Sequence, residues 1–133
     1  MPGSFFDTNI ILYLAGSDAA KAERAESLIA EGGVISVQVL NEIANVARRK
    51  MLMPWDETHA LLAGVRGLLR VVPLGVETHD SGLALAERYN LSIYDALIAA
   101  AALQASCDNL WSEDMQDGLL LEGRLRIRNP FRA

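Results

Sequence analysis

Cysteine occurs once in this chain of 133 residues, as Cys107. One thiol excludes an internal disulfide and any cysteine-cluster zinc site, and it is compatible with a reducing compartment. Cys107 itself reads as a small apolar residue near a helix end. Histidine occurs only as His59 and His79, on separate predicted helices with no partner at ligand spacing, so both are expected at the surface or its boundary. No apolar run approaches the roughly 18 to 20 residues of a membrane span. Met1-Pro2-Gly3-Ser4 carries no basic side chain, and the apolar stretch after it is interrupted by Asp7 and Asn9, which is unlike a signal peptide. A soluble cytosolic protein is expected. Positive charge is short as well: 12 Lys and Arg against 17 Asp and Glu leave −5. Bulk positive potential is therefore not how the chain would hold nucleic acid, although a local basic patch stays open.

What is abundant is apolar material, 51% of the residues. The length suits one domain, residues 1–133, with no room for a second core of ordinary size. There is no internal repeat, linker or low-complexity segment. Ser4-Phe5-Phe6 suits a buried strand and runs straight into Asp7. Thr8 and Asn9 then favour caps and turns, and Ile10 to Leu14 continues as a buried helix. Gly16-Ser17-Asp18 breaks the chain and caps an amphipathic helix built on Ala22, Ala25, Leu28 and Ile29, which ends at Gly32-Gly33. Val34 to Val37 is short, β-branched and preceded by glycine, as a second buried strand is. The next helix starts near Ser36. Taken over Gln38 to Lys50, it buries Val39, Leu40, Ile43, Val46 and Ala47, with Glu42 on the flank in one stripe with Gln38, Asn45 and Arg49. Arg48, Arg49 and Lys50 close it, either to oppose the macrodipole or to meet nucleic acid.

Pro54-Trp55-Asp56 opens a further helix with Leu61, Leu62, Val65, Leu68 and Leu69 as its apolar stripe. Arg70 to Leu74 reads as a third short strand. Val76 to Tyr89 reads as another helix, which Gly82 weakens by about 1 kcal/mol relative to alanine. After a turn at Asn90-Leu91-Ser92, Ile93 to Leu103 is apolar on all sides except for Asp95, so this helix is expected inside the molecule. Asn109 to Ser112 is a fourth strand and Glu113 to Gly118 a loop. Leu125 to Arg128 alternates apolar and charged, as an edge strand does. Strands alternating with helices give an α/β fold with a mainly parallel sheet.

Four carboxylates then stand at comparable places: Asp7 after the first strand, Glu42 on the helix after the second, Asp95 in the first turn of the interior helix, and Asp114 after the fourth strand. Ligands of such sheets sit beyond the carboxyl ends of the strands. Two unit charges 4 to 5 Å apart repel by roughly 3 to 4 kcal/mol at an effective dielectric near 20. Without a cation some of these acids would be protonated or the cluster would open. A hard divalent ion with oxygen ligands, Mg²⁺ or Mn²⁺, removes the conflict. Taken singly, each acid has a plainer use. Ser92-Ile93-Tyr94-Asp95 resembles a capping box, Glu42 could pair with Arg49, and Asp114 and Asp117 could be turn residues. Four coincidences at one sheet end are less economical than one shared site.

Phe6-Asp7-Thr8-Asn9, Ser36-Val37-Gln38-Val39-Leu40-Asn41-Glu42, Ser92-Ile93-Tyr94-Asp95-Ala96-Leu97-Ile98 and Leu110-Trp111-Ser112-Glu113-Asp114 resemble, in order, the four motifs of the PIN domain, and most closely those of VapC-type toxins of prokaryotic toxin–antitoxin pairs. The resemblance spans nearly the whole chain. It implies a three-layer α/β/α sandwich with a sheet of about five strands, a Mg²⁺- or Mn²⁺-dependent endoribonuclease site, RNA as substrate and a small antitoxin as partner. Asp7, Glu42, Asp95 and Asp114 match the acidic quartet, and Thr8 and Ser112 the hydroxyl residues that steady it. Ser112 stands where threonine is common. Asp117 stands where many relatives have another polar residue, so its participation is open. The family, together with the apolar surplus at Leu61, Leu62, Leu68 and Leu69, also suggests a homodimer.

Three other readings compete. A haloacid-dehalogenase-type phosphatase resembles Asp-x-Asp-x-Thr after its first strand, but here position 9 is Asn and position 11 is Ile. A receiver domain lacks support because no adjacent acidic pair stands near the N-terminus. A catalytically idle PIN-type binding module is disfavoured by the intact quartet. The target RNA is not legible; it would depend on surface loops and on basic residues such as Arg48, Arg49, Arg124, Arg126, Arg128 and Arg132, and the last four could equally meet an acidic antitoxin segment.

Overall fold

The structure, a computed structural model, describes residues 3–132. Met1 and Pro2, on which the expectation of no signal peptide partly rests, and Ala133 lie outside the described residues. In chain order the elements are β1 (Ser4–Phe6), α1 (Thr8–Leu12), α2 (Ala19–Ala30), β2 (Val34–Ser36), α3 (Val37–Arg49), α4 (Trp55–Leu68), β3 (Arg70–Val72), α5 (Val76–Tyr89), α6 (Ile93–Gln104), β4 (Asn109–Trp111), β5 (Leu120–Leu121) and β6 (Leu125–Arg128). A 3-10 turn at Tyr13–Ala15 prolongs α1.

The strands form one sheet in the order β3-β2-β1-β4-β6-β5, parallel except for β5. Phe5 lies opposite Val34 on one side and Leu110 on the other. Successive strand residues point to opposite faces. Phe5 and Phe6 are both fully buried, as are Ile35 and Ser36, so both faces of the sheet are covered. The fold is the expected three-layer sandwich. The interior helix is α6, in which Ala96 and Ile98 to Ala102 are fully buried. Gly82, which lowers the helix propensity of α5, has its own reason. A Cβ there would lie 2.8 Å from Leu97 Cδ2, so the missing side chain lets α5 lie close against α6.

Four sequence expectations need correction. The sheet has six strands, because Leu120–Leu121 adds an antiparallel edge that two residues are too few to announce as alternation. Leu125–Arg128 is thus not the edge but lies between β4 and β5. The turn joining β5 to β6 has Glu122 and Gly123 at φ 51° and 68°, the pattern of a type I′ hairpin, in which asparagine or aspartate before glycine is the usual signal. Glu122 adopts this conformation while held by Arg88 and by the Tyr89 hydroxyl, which also accepts from its backbone N–H. Leu68 is 59% exposed, so the apolar stripe of α4 does not extend to it. The helix boundary near Ser36 is one residue earlier than the strand reading allowed: Ser36 caps α3 through its Oγ, which accepts from Val39 N, and Val37 is already helical.

Gly33 lies between α2 and β2, where an added Cβ would stand 2.5 Å from the Phe6 ring and 2.8 Å from the Ser4 carbonyl oxygen. Gly64, in α4, has open space around the same position. Gly33→Ala should therefore lower unfolding free energy by about 1 to 3 kcal/mol through overpacking. Gly64→Ala should raise it by about 0.5 to 1 kcal/mol through helix propensity and a stiffer unfolded chain. Urea denaturation of the two variants checks the pair, and equal effects would contradict it.

Candidate metal centre

From β1 the chain moves outward through β2 to β3, then returns to the other side of β1 to form β4. The strand order therefore reverses between β1 and β4. Connections leaving these two strands diverge there and open a crevice beyond their carboxyl ends. Asp7 stands at the end of β1, and its backbone N–H continues the pairing by donating to the Trp111 carbonyl at 3.0 Å. Ser112 N donates in turn to Arg128 O at 2.9 Å, so β6 braces the same crevice.

Asp7 is the N-cap of α1, extended at φ −72° and ψ 159°, and its Oδ1 accepts from Thr8 N at 2.7 Å. Its Oδ2 accepts from Ser112 Oγ at 2.7 Å and from Asn9 Nδ2 at 3.3 Å. The same Asn9 amide donates to Asp114 Oδ2 at 3.0 Å, while Asn9 Oδ1 accepts from Glu113 N. One carboxamide thus ties the carboxylate after β1 to the carboxylate after β4. Glu42 reaches the crevice from α3: its Oε1 accepts from Thr8 Oγ1 at 2.8 Å and its Oε2 from Gln38 Nε2 at 2.7 Å. It pairs with neutral donors and not with Arg49. Asp95 lies in the first turn of α6. There the Ser92 hydroxyl accepts from Asp95 N at 3.2 Å, so the cap at this helix is made by Ser92 and not by the Asp95 carboxylate. Asp117 is spent elsewhere, its Oδ1 accepting from Asn129 N at 2.7 Å.

Burial pushes the Asp7 carboxyl from its ordinary 3.8 up to about 6; the hydrogen bonds from Ser112 and Thr8 oppose this, and the charges of Asp95 and Glu42 add to it. Asp95 is raised too, first by burial, against the Ser92 hydroxyl, and then by the charges of Glu42 and Asp114. Each of the four acids therefore feels or supplies the field of another. Among the described residues the salt bridges are Lys21–Glu113 and Arg88–Glu122, so no Lys or Arg compensates the quartet. As they stand, no three His, Cys, Asp or Glu side chains among the described residues form a group able to hold a metal ion. The carboxylates are instead turned onto hydroxyls and carboxamides. The donor set itself is of hard oxygens without a Lys or Arg partner among the described residues, which is the chemistry that suits a hard divalent ion. A larger cavity of about 710 Å³ lies at the other end of α6, beside Gln104 and Thr78, away from these acids.

A family model described as PIN domain matches residues 4–116. The chain belongs to the PIN-domain family. Among solved structures, a toxin–antitoxin complex from Klebsiella pneumoniae contains a chain of similar fold, with TM-score 0.71 and 21% identity, covering 98% of this chain and 100% of that one. The DNA-bound VapBC of Salmonella typhimurium gives TM-score 0.70 and 19% identity over 98% and 99% of the two chains. The sarcin–ricin-loop-cleaving toxin VapC20 of Mycobacterium tuberculosis gives 0.63 and 18% over 81% and 87%. At these identities the likeness concerns the fold. No curated protein matches the chain.

Two residues that bond these acids stand outside the set to which sequence pattern points: Asn9, which reads as a turn former, and Gln38, which reads as a flank residue. Their spacing held the signal: Gln38 is four residues before Glu42, one helical turn on the same face, and Asn9 follows Asp7 by two, the reach of a local side-chain bond. Arg48 leaves the set of nucleic-acid candidates that are free, since it donates to Met53 O at 2.7 Å and stacks 4.1 Å from the Trp55 ring.

A raised folded-state pKa means that the native protein retains a proton that the unfolded chain has lost. The stability contributed by neutral Asp7 is complete below about pH 4 and lost as pH rises through about 6. The two-unit difference corresponds to roughly 3 kcal/mol. In metal-free buffer the wild type should therefore lose up to roughly 3 kcal/mol relative to Asp7→Asn between about pH 4 and pH 7, because asparagine keeps the cap without the charge. Denaturation series across this range check it; parallel curves for the two proteins would refute the shift.

Proposed function

We propose that this PIN domain is a divalent-metal-dependent endoribonuclease and the toxin of a toxin–antitoxin pair. The observation that carries the reading is the mutual field of Asp7, Glu42, Asp95 and Asp114, four acids from distant segments, the first, second and fourth linked through Thr8 and Asn9, and without a Lys or Arg salt bridge among the described residues. RNA as substrate and an antitoxin as partner are drawn from the relatives. One of them is a toxin that cleaves the sarcin–ricin loop, and others come from toxin–antitoxin complexes. No helix among the described residues is long and apolar enough to cross a membrane, consistent with a cytoplasmic site of action. A second copy of the chain and the antitoxin would share its surface, where Leu52, Trp55 and Leu68 are exposed.

Asp7 and Asp95 would hold Mg²⁺ or Mn²⁺, with Asp114 as a further ligand directly or through water. When bound, the ion supplies Lewis acidity toward a phosphate oxygen and makes a water acidic enough to attack in line near neutral pH. The chain's own part is positional. Ser112 and Thr8 N fix the two oxygens of Asp7, and Asn9 sets Asp114 relative to Asp7. Thr8 and Gln38 hold Glu42 so that it can orient the attacking water or serve a second ion. No histidine or lysine is required. A dehalogenase-type phosphatase is poorly served, since position 9 offers an amide donor to Asp7 where that chemistry uses a second acid.

Purified protein incubated with mixed RNA and DNA in Mg²⁺, Mn²⁺ or EDTA tests the reading beside Asp7→Asn. The expected result is RNA cleavage that needs metal and is lost in the variant. Cleavage that survives EDTA or the substitution would sink the proposal. A companion experiment uses Glu42→Gln and Asp95→Asn, which should abolish cleavage while leaving the metal-free Tm equal or higher, because each removes like-charge repulsion. A marked fall in the metal-free Tm of Asp95→Asn would assign that carboxylate to the helix cap instead.

A further inference from the structure

Gln38, Asn41, Glu42, Asn45 and Val46 are spaced three and four residues apart along α3 and form one stripe. With Thr8 and Tyr94 they line a groove of about 520 Å³. The groove opens from the carboxylate cluster itself: Thr8 and Glu42 belong to both, and Tyr94 directly precedes Asp95. Its lining is of another character. Beyond Glu42 it consists of carboxamides, a hydroxyl, an aliphatic side chain and an aromatic ring, with no Lys, Arg or His. A phosphate would find no charge partner there. Tyr94 is 65% exposed, and Asn41 and Asn45 are exposed as well. Among the described residues, no side-chain hydrogen bond engages Asn41, Asn45 or the Tyr94 hydroxyl, whereas Gln38 is committed to Glu42.

An open aromatic face beside free carboxamides suits a flat, uncharged ligand whose edge carries both donors and acceptors. An unpaired nucleobase is such a ligand: aromatic side chains stack on its face, and amides read its Watson–Crick edge. Arg49, exposed further along the same stripe, lies seven residues, or about 10 Å of helix rise, beyond Glu42. A strand leaving the groove along α3 would meet a cation there. Resting on the reading of the protein as a ribonuclease, we propose that this groove is a base-selecting subsite. A single unpaired base next to the scissile phosphate stacks on Tyr94 and is read by Asn41 and Asn45. Cleavage specificity then resides in α3 and the start of α6, and an acidic protein distinguishes RNA sequences without a basic surface.

Two readouts test the subsite. Fluorescence anisotropy with labelled single-stranded hexaribonucleotides of each of the four bases, in Ca²⁺ buffer, measures binding. Sequencing of cut ends from mixed RNA in Mg²⁺ or Mn²⁺ measures base preference. Tyr94→Ala should weaken binding of the preferred oligonucleotide about tenfold and raise KM with kcat little changed, and Tyr94→Phe should stay within about twofold of wild type. Asn45→Asp and Asn41→Ala should change the order of preference among the bases at the cut. All three positions of substitution are exposed, and unchanged thermal melting verifies folding. If Tyr94→Ala leaves binding, KM and preference as in wild type, the subsite is overturned even when cleavage is confirmed, and the groove is left to a protein partner. If the wild type binds in a Tyr94-dependent manner yet cleaves nothing, the subsite stands and the hydrolase reading falls.

Discussion

A carboxylate that is 4% exposed, stationed where the strand order of a parallel sheet reverses, is the constraint on which the rest of this molecule depends. Asp7 cannot be moved toward solvent without unpairing β1 from β4, because its backbone extends that ladder, nor left without donors. Thr8 N, Ser112 Oγ and Asn9 Nδ2 supply them. Each of these donors is neutral, so the charge is solvated but not cancelled. The outcome is a group whose proton is bound unusually tightly and whose neighbours carry the same sign. An arrangement of this kind is stable enough to exist alone and electrostatically incomplete.

The surrounding architecture keeps that arrangement rigid. Full burial of both Phe5 and Phe6 clamps β1 from the two faces, and Gly33 leaves only enough room for the Phe6 ring. On the α6 side, small side chains and Gly82 let helices pack closely, which carries Asp95 to the crevice on a helix with little freedom to shift. A second, polar anchorage lies alongside. Glu113 accepts from Tyr13 and Lys21, and Lys21 lies over the Tyr13 and Phe131 rings. The loop that bears Asp114 is therefore tied to α1, α2 and the end of the chain.

Most of the elements, and the placing of the four acids at strand ends and on the helices that follow, are legible in the sequence because they depend on short-range pattern. Strand-to-helix transitions at Asp7 and Ser36, the apolar interior of α6 and the order of the motifs are all written in neighbouring residues. The sixth strand is not legible because Leu120–Leu121 is joined to β6 by a turn with Glu122 at positive φ, where the distant Arg88 and Tyr89 bond it. The exposure of Leu68 is not written in the apolar period of α4, because periodicity does not say where a neighbouring element stops covering a helix. Asn9 and Gln38 were passed over since carboxamides have innocent uses everywhere; only the partner's position, 105 residues away for Asn9 and Asp114, gives them meaning.

Long sequence separations at the crevice also govern when it can form. The bond from Ser112 to Asp7 closes a span of 105 residues, and Ser112 is itself held by Arg128 at the last strand. Contacts so distant along the chain cost loop-closure entropy before they return anything, and they tend to be made late. A chain emerging from the ribosome can build β1, β2, β3 and their helices while Asp7 still lacks its principal donor. The acidic crevice is then completed only after β4 and β6 have joined the sheet, since Ser112 and Arg128 arrive with them.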